Sequence, residues 1–298
     1  MKVSTLLFTV LVLVAVISLI TIWFYPSAQD FLASNSMWNG VEKFDNDFNA
    51  TQVDSLDNFP ITTAKSILVV IPYVDYTSDD LAKLKGFLDN GGTILLMDDY
   101  GYGNSVLTYL GVPVRFSNKP LLDPFFSYKS PYLPRVTDFA PGVKESGVNV
   151  IMLNHATSLT DVSKTDAVAW SSGESFLDTN DNGELNPGEP KGPFTVAARL
   201  KVGKGTLAIV SDPSVIINTM VGKDDNYAFI RYLVGSTETG RNVMVDRSHL
   251  TQTPLDVSKT RLTSTHNVIS SPYIVAGITA LLFMVVSKYT LKKGEIVG

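Results

Sequence analysis

Two short apolar runs decide the fold of this chain: Ser66-Ile-Leu-Val-Val-Ile-Pro72 and Thr93-Ile-Leu-Leu-Met97. Each is continuously apolar and rich in branched side chains, which is typical of strands buried on both faces of a parallel sheet. The segment between them begins with Ser78, a good helix cap, continues with Asp79 and Asp80, and then carries apolar residues at helical spacing. A strand, a helix and a strand in this order predict a right-handed βαβ unit, and therefore the α/β fold class.

The same alternation continues beyond this unit. Helical periodicity recurs twice, and glycines or prolines separate most of the segments. We therefore predict a flavodoxin-like or Rossmann-like parallel sheet in one domain over residues 30–250. The further predicted strands are 112–116, 148–153, 167–170, 195–200, 206–211 and 242–245, and the further predicted helices are 105–110 and 226–234.

Both ends of the chain are more apolar than its middle. Residues 3–24 hold no charge over 22 positions, and residues 268–286 hold none over 19; a helix needs about 20 apolar residues to span a bilayer. The first run ends in the aromatic stretch Trp23-Phe-Tyr25 and is not followed by an Ala-x-Ala cleavage site. We predict a retained anchor over 1–25 and a second transmembrane helix over 268–288. The alternatives are a cleaved signal peptide and a buried core helix.

The basic residues at the ends predict the topology. Lys2 precedes the first span, and Lys288, Lys292 and Lys293 follow the second. The positive-inside rule then puts both termini in the cytoplasm, and the main domain outside the plasma membrane. In this scheme a linker covers residues 251–267 and a cytoplasmic tail covers residues 289–298.

Charge sets limits on the partners of the external domain. The chain has 24 Lys and Arg against 29 Asp and Glu; without Glu295 and the four lysines at the ends, 20 basic and 28 acidic residues remain, a net charge of −8. Such an acidic surface argues against nucleic acid as a partner, because phosphate binding needs clustered cations. The glycosylation pattern Asn49-Ala-Thr51 agrees with an exported surface.

The residues that are absent exclude several classes of chemistry. The chain has no cysteine, which excludes a disulfide scaffold, a thiolate zinc site, an iron–sulfur cluster and a cysteine nucleophile. It also lacks the Gly-x-Ser-x-Gly elbow of serine hydrolases, and its three histidines are far apart in sequence. Whether the protein is an enzyme stays open, and these absences favour a protein that is not.

A polar loop at residues 178–189 matches the register of an EF-hand calcium loop. Oxygen-bearing side chains occupy positions 1, 3, 5, 9 and 12, Gly183 stands at position 6, and Leu185 at position 8. Pro187 and Gly192-Pro193 prevent an exiting helix, so calcium here would be a structural staple. The alternative is a solvated Asn/Asp/Gly turn. The predicted ligands are Asp178, Asn180, Asn182, Glu184 through its backbone carbonyl, Asn186 and Glu189.

A second polar stretch, Asp98-Asp-Tyr-Gly-Tyr-Gly-Asn104, directly follows a predicted strand. Ligands of open parallel sheets bind beyond the carboxyl ends of the strands, so a pocket is expected here. The stretch lacks the dinucleotide fingerprint and the phosphate loop, and its acidic pair repels phosphate, which excludes a nucleotide. The alternative is that the aspartates cap helices and fix turns. The pocket candidates are Asp98, Asp99, Tyr100, Tyr102 and Asn104, together with His155 and Asp212 after other predicted strands.

Three motifs together resemble a family of uncharacterised archaeal membrane proteins. They are stretch 98–104 followed by Leu110-Gly111, the segment 175–193, and Gly205-Thr-Leu-Ala-Ile-Val-Ser-Asp-Pro-Ser214. The family's domain of unknown function is similar to class I glutamine amidotransferase-like domains and to auxiliary subunits of gliding-motility-type ABC transporters. The resemblance covers most of residues 36–250. It implies an amidotransferase-like fold whose cysteine nucleophile is missing in this chain.

Two functions from different classes remain. The favoured one is a noncatalytic, membrane-anchored extracytoplasmic domain that binds a protein partner in a membrane assembly, or an envelope glycan. The alternative is a hydrolase that uses Asp98, Asp99 and Asp212 as acid, base or metal ligands. Carboxylates turned onto backbone amides at helix starts would favour the first, and a pocket lined by the carboxylates would favour the second.

Overall fold

The structure is a computed structural model that describes residues 3–58, 66–235, 242–280 and 283–284. It divides into two compact units. Pro26–Thr251 form the larger unit, and Met1–Tyr25 together with Gln252–Gly298 form the smaller one. The larger unit coincides closely with the domain predicted over residues 30–250.

The secondary structure alternates between helices and mostly short strands. The helices are α1 (Val3–Phe24), α2 (Glu42–Phe48), α3 (Ser78–Asp89), α4 (Gly103–Tyr109), α5 (Pro141–Glu145), α6 (Asn226–Val234) and α7 (Pro254–Ile269), with 3-10 turns at Leu56–Asn58 and Pro213–Ile216. The strands are β1 (Thr51–Val53), β2 (Ser66–Val70), β3 (Thr93–Met97), β4 (Arg115–Phe116), β5 (Leu121–Leu122), β6 (Ser127–Tyr128), β7 (Ser130–Val136), β8 (Asp138–Phe139), β9 (Ile151–Met152), β10 (Leu159–Thr160), β11 (Ala167–Trp170), β12 (Phe176–Leu177), β13 (Thr195–Val202), β14 (Gly205–Val210) and β15 (Asn242–Asp246).

The central sheet is mixed and mostly parallel, so the predicted parallel sheet is confirmed in part. Its order is β1-β15-β2-β3-β14-β13-β10-β4, and the strands from β1 to β14 in this order are parallel neighbours. Beyond β14 the pairing becomes antiparallel, because Gly203 and Lys204 form a two-residue hairpin between β13 and β14. A parallel return would need a crossover of a dozen or more residues. The fold is therefore mixed α/β with a mostly parallel central sheet.

The strands at the centre of the sheet are buried on both faces. Every residue of β2, β3 and β14 is buried. Side chains alternate between the faces, so Leu95 packs in one core cluster with Phe229 of α6, and Leu96 in the other with Phe87 of α3. This two-sided burial explains why the strands read as continuous apolar runs.

In the smaller unit, α1 confirms the predicted N-terminal apolar helix. Among the described residues it is the one helix that is long and apolar enough to cross a membrane, and a membrane anchor or a signal sequence would both have this character. Residues 272–280 and 283–284 are helical. Residues 268–269 of the predicted second span end helix α7. Residues 281–282 and 285–288 of that span, and the predicted tail over residues 289–298, lie outside the described residues.

The structure shows a helix in most of the predicted linker over residues 251–267. This helix, α7, begins at Pro254. The hydroxyl of Thr253 accepts a hydrogen bond from the Asp256 backbone amide at 3.2 Å, and proline at the first helical position costs no hydrogen bond. The pair Thr253-Pro254 is therefore the start signal of this helix.

Candidate functional site at the carboxyl edge of the sheet

A row of polar side chains lies where the central parallel strands end. In the pairing of β3 with β14, Met97 stands opposite Val210. Asp99 and Asp212 each lie two residues further along the chain. They are therefore level with each other and belong to the same face of the sheet. The pairing of β2 with β3 brings Tyr73 level with Asp99 in the same way. The prediction that Asp99 and Asp212 converge at this edge agrees with this geometry.

The electrostatics of the row reflect its burial. Asp212 is fully buried, and burial raises the pKa of its carboxyl group to about 8, with the charge of Asp99 adding to the shift. Burial also raises the pKa of Asp99. The pKa of Tyr73 is raised by burial first, and then by the charges of Asp99, Asp98 and Asp212. The row therefore holds two carboxyl groups in a poorly solvated place where a second negative charge is unfavourable.

The carboxyl groups of this row accept hydrogen bonds from the backbone. Oδ2 of Asp212 accepts from the Asn154 amide at 2.6 Å, and Oδ1 accepts from the Ser214 amide at 2.7 Å, at the start of a 3-10 turn. Oδ1 of Asp99 accepts from the Tyr100 amide at 2.6 Å. Asp212 thus ties the loop before β10 to the end of β14.

Asp98 lies on the other face of the sheet and belongs to a different cluster. Its Oδ1 accepts from the amides of Gly101 at 2.8 Å and Asp99 at 2.9 Å, and its Oδ2 accepts from the Gly103 amide at 2.7 Å. A Cβ atom at Gly101 or Gly103 would lie within 2.7 Å of these oxygens, so the turn requires glycine at both positions. Burial raises the pKa of Asp98 to about 6 although the three amides lower it. Asp98 therefore fixes the turn into α4.

Two other predicted pocket residues have local roles. The side chain of Asn104 donates to the Phe116 carbonyl and accepts from the Phe116 amide, both at 2.9 Å, which joins α4 to β4. Tyr102 has an exposed side chain, and its amide donates to the Pro72 carbonyl at 2.8 Å. Asn104 is therefore a structural residue, and Tyr102 lies on the surface of the turn.

Tyr100 lies near the carboxylate row, and His155 directly follows Asn154, whose amide binds Asp212. The Tyr100 hydroxyl donates to the Ala156 carbonyl at 3.3 Å, and its pKa is raised by burial and by the charges of Asp99 and Asp212. The exposed imidazole of His155 stacks on Tyr132 with 4.8 Å between ring centroids, and partial burial lowers its pKa. Tyr132 was missed by sequence analysis, because it lies in an irregular proline-rich strand.

The polar loop over residues 178–189 has internal hydrogen bonds in the EF-hand register. Oδ2 of the fully buried Asp178 accepts from the Gly183 amide at 2.6 Å. Asn180 Oδ1 accepts from the Asn182 amide at 3.2 Å, and Asn182 Oδ1 accepts from the Glu184 amide at 2.9 Å. These bonds link loop positions 1 to 6, 3 to 5 and 5 to 7. Gly183, at φ +78°, makes the bend that this position needs.

The last acidic residue of the loop closes it. Glu189 accepts from the Thr179 amide at 2.8 Å with one oxygen and from the Asn186 amide at 2.9 Å with the other, and these bonds lower its pKa. Within the described residues, no cluster of three or more His, Asp or Glu is arranged to hold a metal ion. The predicted ligand set has two carboxylates, Asp178 and Glu189, and otherwise amide and carbonyl oxygens, which are hard ligands of the kind calcium takes.

The loop also approaches the candidate site. A Cβ atom at Gly183 would lie 3.1 Å from the Tyr132 hydroxyl, so the loop backbone packs against the tyrosine that stacks on His155. The charge of Asp181 also contributes to the raised pKa of Tyr100. The loop therefore lies beside Tyr100 and beside the stacked pair of Tyr132 and His155.

A second polar cluster, which the sequence did not predict, lies at the end of β15. His249 Nδ1 is 2.7 Å from Asp246 Oδ2, and the imidazole stacks on Tyr76 with 3.4 Å between centroids. All three residues are buried, and the Tyr76 hydroxyl also donates to Asp246. His249 is therefore a structural histidine that joins the last strand to the segment before α3.

A comparison with protein families gives one match. The model of a family described as "Domain of unknown function (DUF4350)" matches residues 40–234. The chain belongs to the DUF4350 family. The matched range includes the carboxylate row, Tyr100, His155 and the polar loop. The family description names no activity, so the predicted archaeal source and the likeness to amidotransferase-like domains and transporter subunits stay predictions.

Comparisons with individual proteins add little. No curated protein matches the chain. The solved structure titled "mmIFT52 N-terminal domain" is 18% identical, with a TM-score of 0.42 over 58% of this chain and 76% of that one. A β-galactosidase from Bacillus circulans sp. alkalophilus is 11% identical, with a TM-score of 0.33 over 57% of this chain and 22% of that one. Neither likeness is close enough to support an argument about function.

Proposed function

We propose that this DUF4350 protein is a noncatalytic, membrane-anchored binding domain. Its partner, a protein of a membrane assembly or an envelope glycan, binds at the carboxyl edge of the sheet. The observation that carries the proposal is the state of Asp98 and Asp212, whose two carboxyl oxygens each accept hydrogen bonds from backbone amides. Carboxyl groups held in this way fix turns and are poorly placed to exchange protons with a substrate.

The exposed groups beside these carboxylates suit binding. Tyr100 is 44% exposed, and the charge of Asp99 and the nearby Tyr132 both act on its hydroxyl. Tyr132 in turn stacks on the exposed His155. Aromatic rings with polar tips give contact area at low cost in conformational entropy, and they dominate many recognition surfaces. The scaffold beneath them is rigid, because Asp212 and the β3–β14 pairing fix both loops.

We propose the predicted topology with this function. Helix α1 and the predicted second span over residues 268–288 anchor the protein in the plasma membrane, both termini are cytoplasmic, and the acidic domain lies outside. The length and composition of α1 support this arrangement, and so does the distribution of lysines at the ends of the chain. The exposed position of Asn49 in its glycosylation pattern agrees with an external domain.

Copurification from the native membrane tests the binding function. The full chain, solubilised in mild detergent, should retain a specific protein or glycan. The double variant Tyr100→Ala/His155→Ala should lose at least 80% of it, while Tyr109→Ala, another exposed tyrosine at 41%, should retain it. Recovery of the same components with all three proteins would contradict the proposal.

The second candidate function is a hydrolase, and one observation favours it. Asp99 and Asp212 share a face of the sheet, and the pKa of Asp212 lies near 8, so the two carboxyl groups differ in their readiness to hold a proton. In that case the purified chain should turn over a glycoside, peptide or ester, and Asp99→Asn should abolish turnover. If the chain turns over such a substrate and Asp99→Asn abolishes the turnover, the protein is a hydrolase and the proposed binding function is wrong.

We also propose that the loop over residues 178–189 binds calcium as a structural staple. With a dissociation constant near 10⁻⁴ to 10⁻³ M, as in weak extracellular sites, 10 mM calcium should stabilise the folded chain by about 2 kcal/mol. For a domain of this size the melting temperature should then rise by about 4–8 °C. Glu189→Ala should remove the shift, because it deletes the acidic ligand at position 12.

The matched control for calcium is Asp181→Asn. Asp181 occupies position 4, which points out of an EF-hand loop, so this variant removes a charge and should keep the shift. Thermal unfolding of the full chain with calcium and with chelator is the measurement, with magnesium as a second control. A melting temperature that does not respond to calcium would leave the loop as a solvated turn.

A further inference from the structure

An aromatic pair protrudes from the turn that follows β5. Phe125 is 73% exposed and Phe126 is 52% exposed. The turn is held from below by the fully buried Asp123, whose Oδ1 accepts from the amides of both phenylalanines at 2.9 and 2.7 Å. Its Oδ2 accepts from the Ser172 hydroxyl at 2.5 Å. Because the backbone is already fixed, the two rings are presented to solvent without a large entropic cost on binding.

Cations surround the tyrosine next to this pair. The ring centroid of Tyr128 lies 5.0 Å from Lys129 Nζ, 5.4 Å from Arg135 Cζ and 5.7 Å from Lys223 Nζ. Arg135 pairs with Asp224 at 2.9 Å, whereas both lysines are exposed and no ion pair of the described residues includes either of them. The result is a local positive patch on a domain that holds 18 basic and 27 acidic residues between positions 26 and 251, a net charge of −9.

We propose that Phe125, Phe126, Lys129 and Lys223 form a docking patch for an anionic lipid surface. Protruding aromatic rings favour the interfacial zone of a bilayer, and neighbouring lysines bind anionic headgroups. The acidic remainder of the domain is repelled by such a surface, so this patch decides which side of the domain makes contact.

A bilayer is also the partner that the chain itself brings close. The larger unit begins at Pro26, and the apolar helix α1 ends at Phe24. The inference rests on the proposed anchoring by α1, which holds the domain at a high effective concentration near the lipid surface. Docking goes beyond the proposed function, because it uses residues outside the carboxyl edge of the sheet.

A fluorophore placed beside the aromatic pair tests the patch. The chain has no cysteine, so Ser127→Cys labels uniquely with an environment-sensitive nitrobenzoxadiazole dye and leaves both phenylalanines in place. The labelled full chain is reconstituted into liposomes of phosphatidylcholine alone or with one third phosphatidylglycerol. With phosphatidylglycerol we expect the emission intensity of the dye to rise at least twofold and its maximum to shift to the blue. Most of this rise should be lost in Phe125→Ser/Phe126→Ser or in high salt.

The controls separate this inference from the anchoring on which it rests. Flotation of the liposomes reports whether α1 inserts, independently of the dye, and Tyr109→Ser removes an exposed aromatic elsewhere and should keep the gain. Equal emission in both lipids, with the chain floating normally, would overturn the docking patch. A gain in dye emission that grows with the protein-to-lipid ratio in phosphatidylcholine alone would also overturn it. That result would mean that the patch contacts a protein surface.

Discussion

Replacing Asp98 by alanine should lower the free energy of unfolding by about 3–5 kcal/mol. Asp98 is 2% exposed, and its carboxyl group accepts hydrogen bonds from the amides of Asp99, Gly101 and Gly103. Alanine would leave these donors without their acceptor inside the turn into α4, and each unsatisfied buried donor costs about 1–3 kcal/mol. Chemical denaturation of the full chain in detergent, followed by tryptophan fluorescence, measures the loss.

Two further variants show whether hydrogen bonding causes this loss. Asp98→Asn keeps one acceptor oxygen but turns an amide group towards a backbone N–H, so it should lose an intermediate amount. Asp47→Ala, on the exposed side of α2, should change the free energy by less than about 0.5 kcal/mol. If Asp98→Ala were as mild as Asp47→Ala, Asp98 would not be the residue that fixes this turn.

The second large effect is a loss of stability as the pH rises from 6.5 to 8. The pKa of Asp212 is about 8 in the folded chain, above the ordinary value near 3.9 for an exposed aspartate. Between these values the folded state holds a proton that the unfolded state has released, so the free energy of unfolding falls by about 1.4 kcal/mol per pH unit. The stability that this proton gives is fully present below pH 4 and is lost as the pH passes 8.

In the range from pH 6.5 to 8, the titration of Asp212 dominates the change in the free energy of unfolding. Asp98, with a folded pKa of about 6, adds to the same trend only below about pH 6. The lowered pKa of His155 acts in the opposite direction near pH 6.5 and below. Asp212→Asn should therefore flatten the dependence of the free energy of unfolding on pH between pH 6.5 and 8. A loss of stability that is the same at every pH does not affect this test. An unchanged slope in this variant would show that Asp212 is ionised in the folded chain.

The strands that the sequence predicts well are those with two buried faces. After their first residue, runs such as Ser66–Val70 and Thr93–Met97 have no polar side chain that interrupts the apolar pattern. The two-residue strands, such as Leu121–Leu122, are too short to show any periodicity. The antiparallel half of the sheet was missed for a local reason, because the two residues Gly203-Lys204 reverse the chain between β13 and β14 where an alternating α/β pattern predicts a crossover.

The candidate site was predictable where strand ends determine it. Asp99 and Asp212 follow adjacent parallel strands, so the rule for carboxyl edges was sufficient to bring them together. The same rule misplaced Asp98, because successive residues at a strand end face opposite sides of the sheet. Tyr73 could have been found from the register of β2 with β3. Tyr132 could not, because its position depends on packing between irregular segments.

The most direct test of the binding function is photo-crosslinking from the site in the native membrane. A benzophenone amino acid placed at Tyr100 of the full chain should give one dominant adduct on illumination. The same group at Tyr109, equally exposed on α4, should give none. The adduct at position 100 should persist in Asp212→Asn, because binding needs no ionised carboxylate there. Equal adducts at the two positions, or none at Tyr100, would contradict a binding site at the carboxyl edge of the sheet.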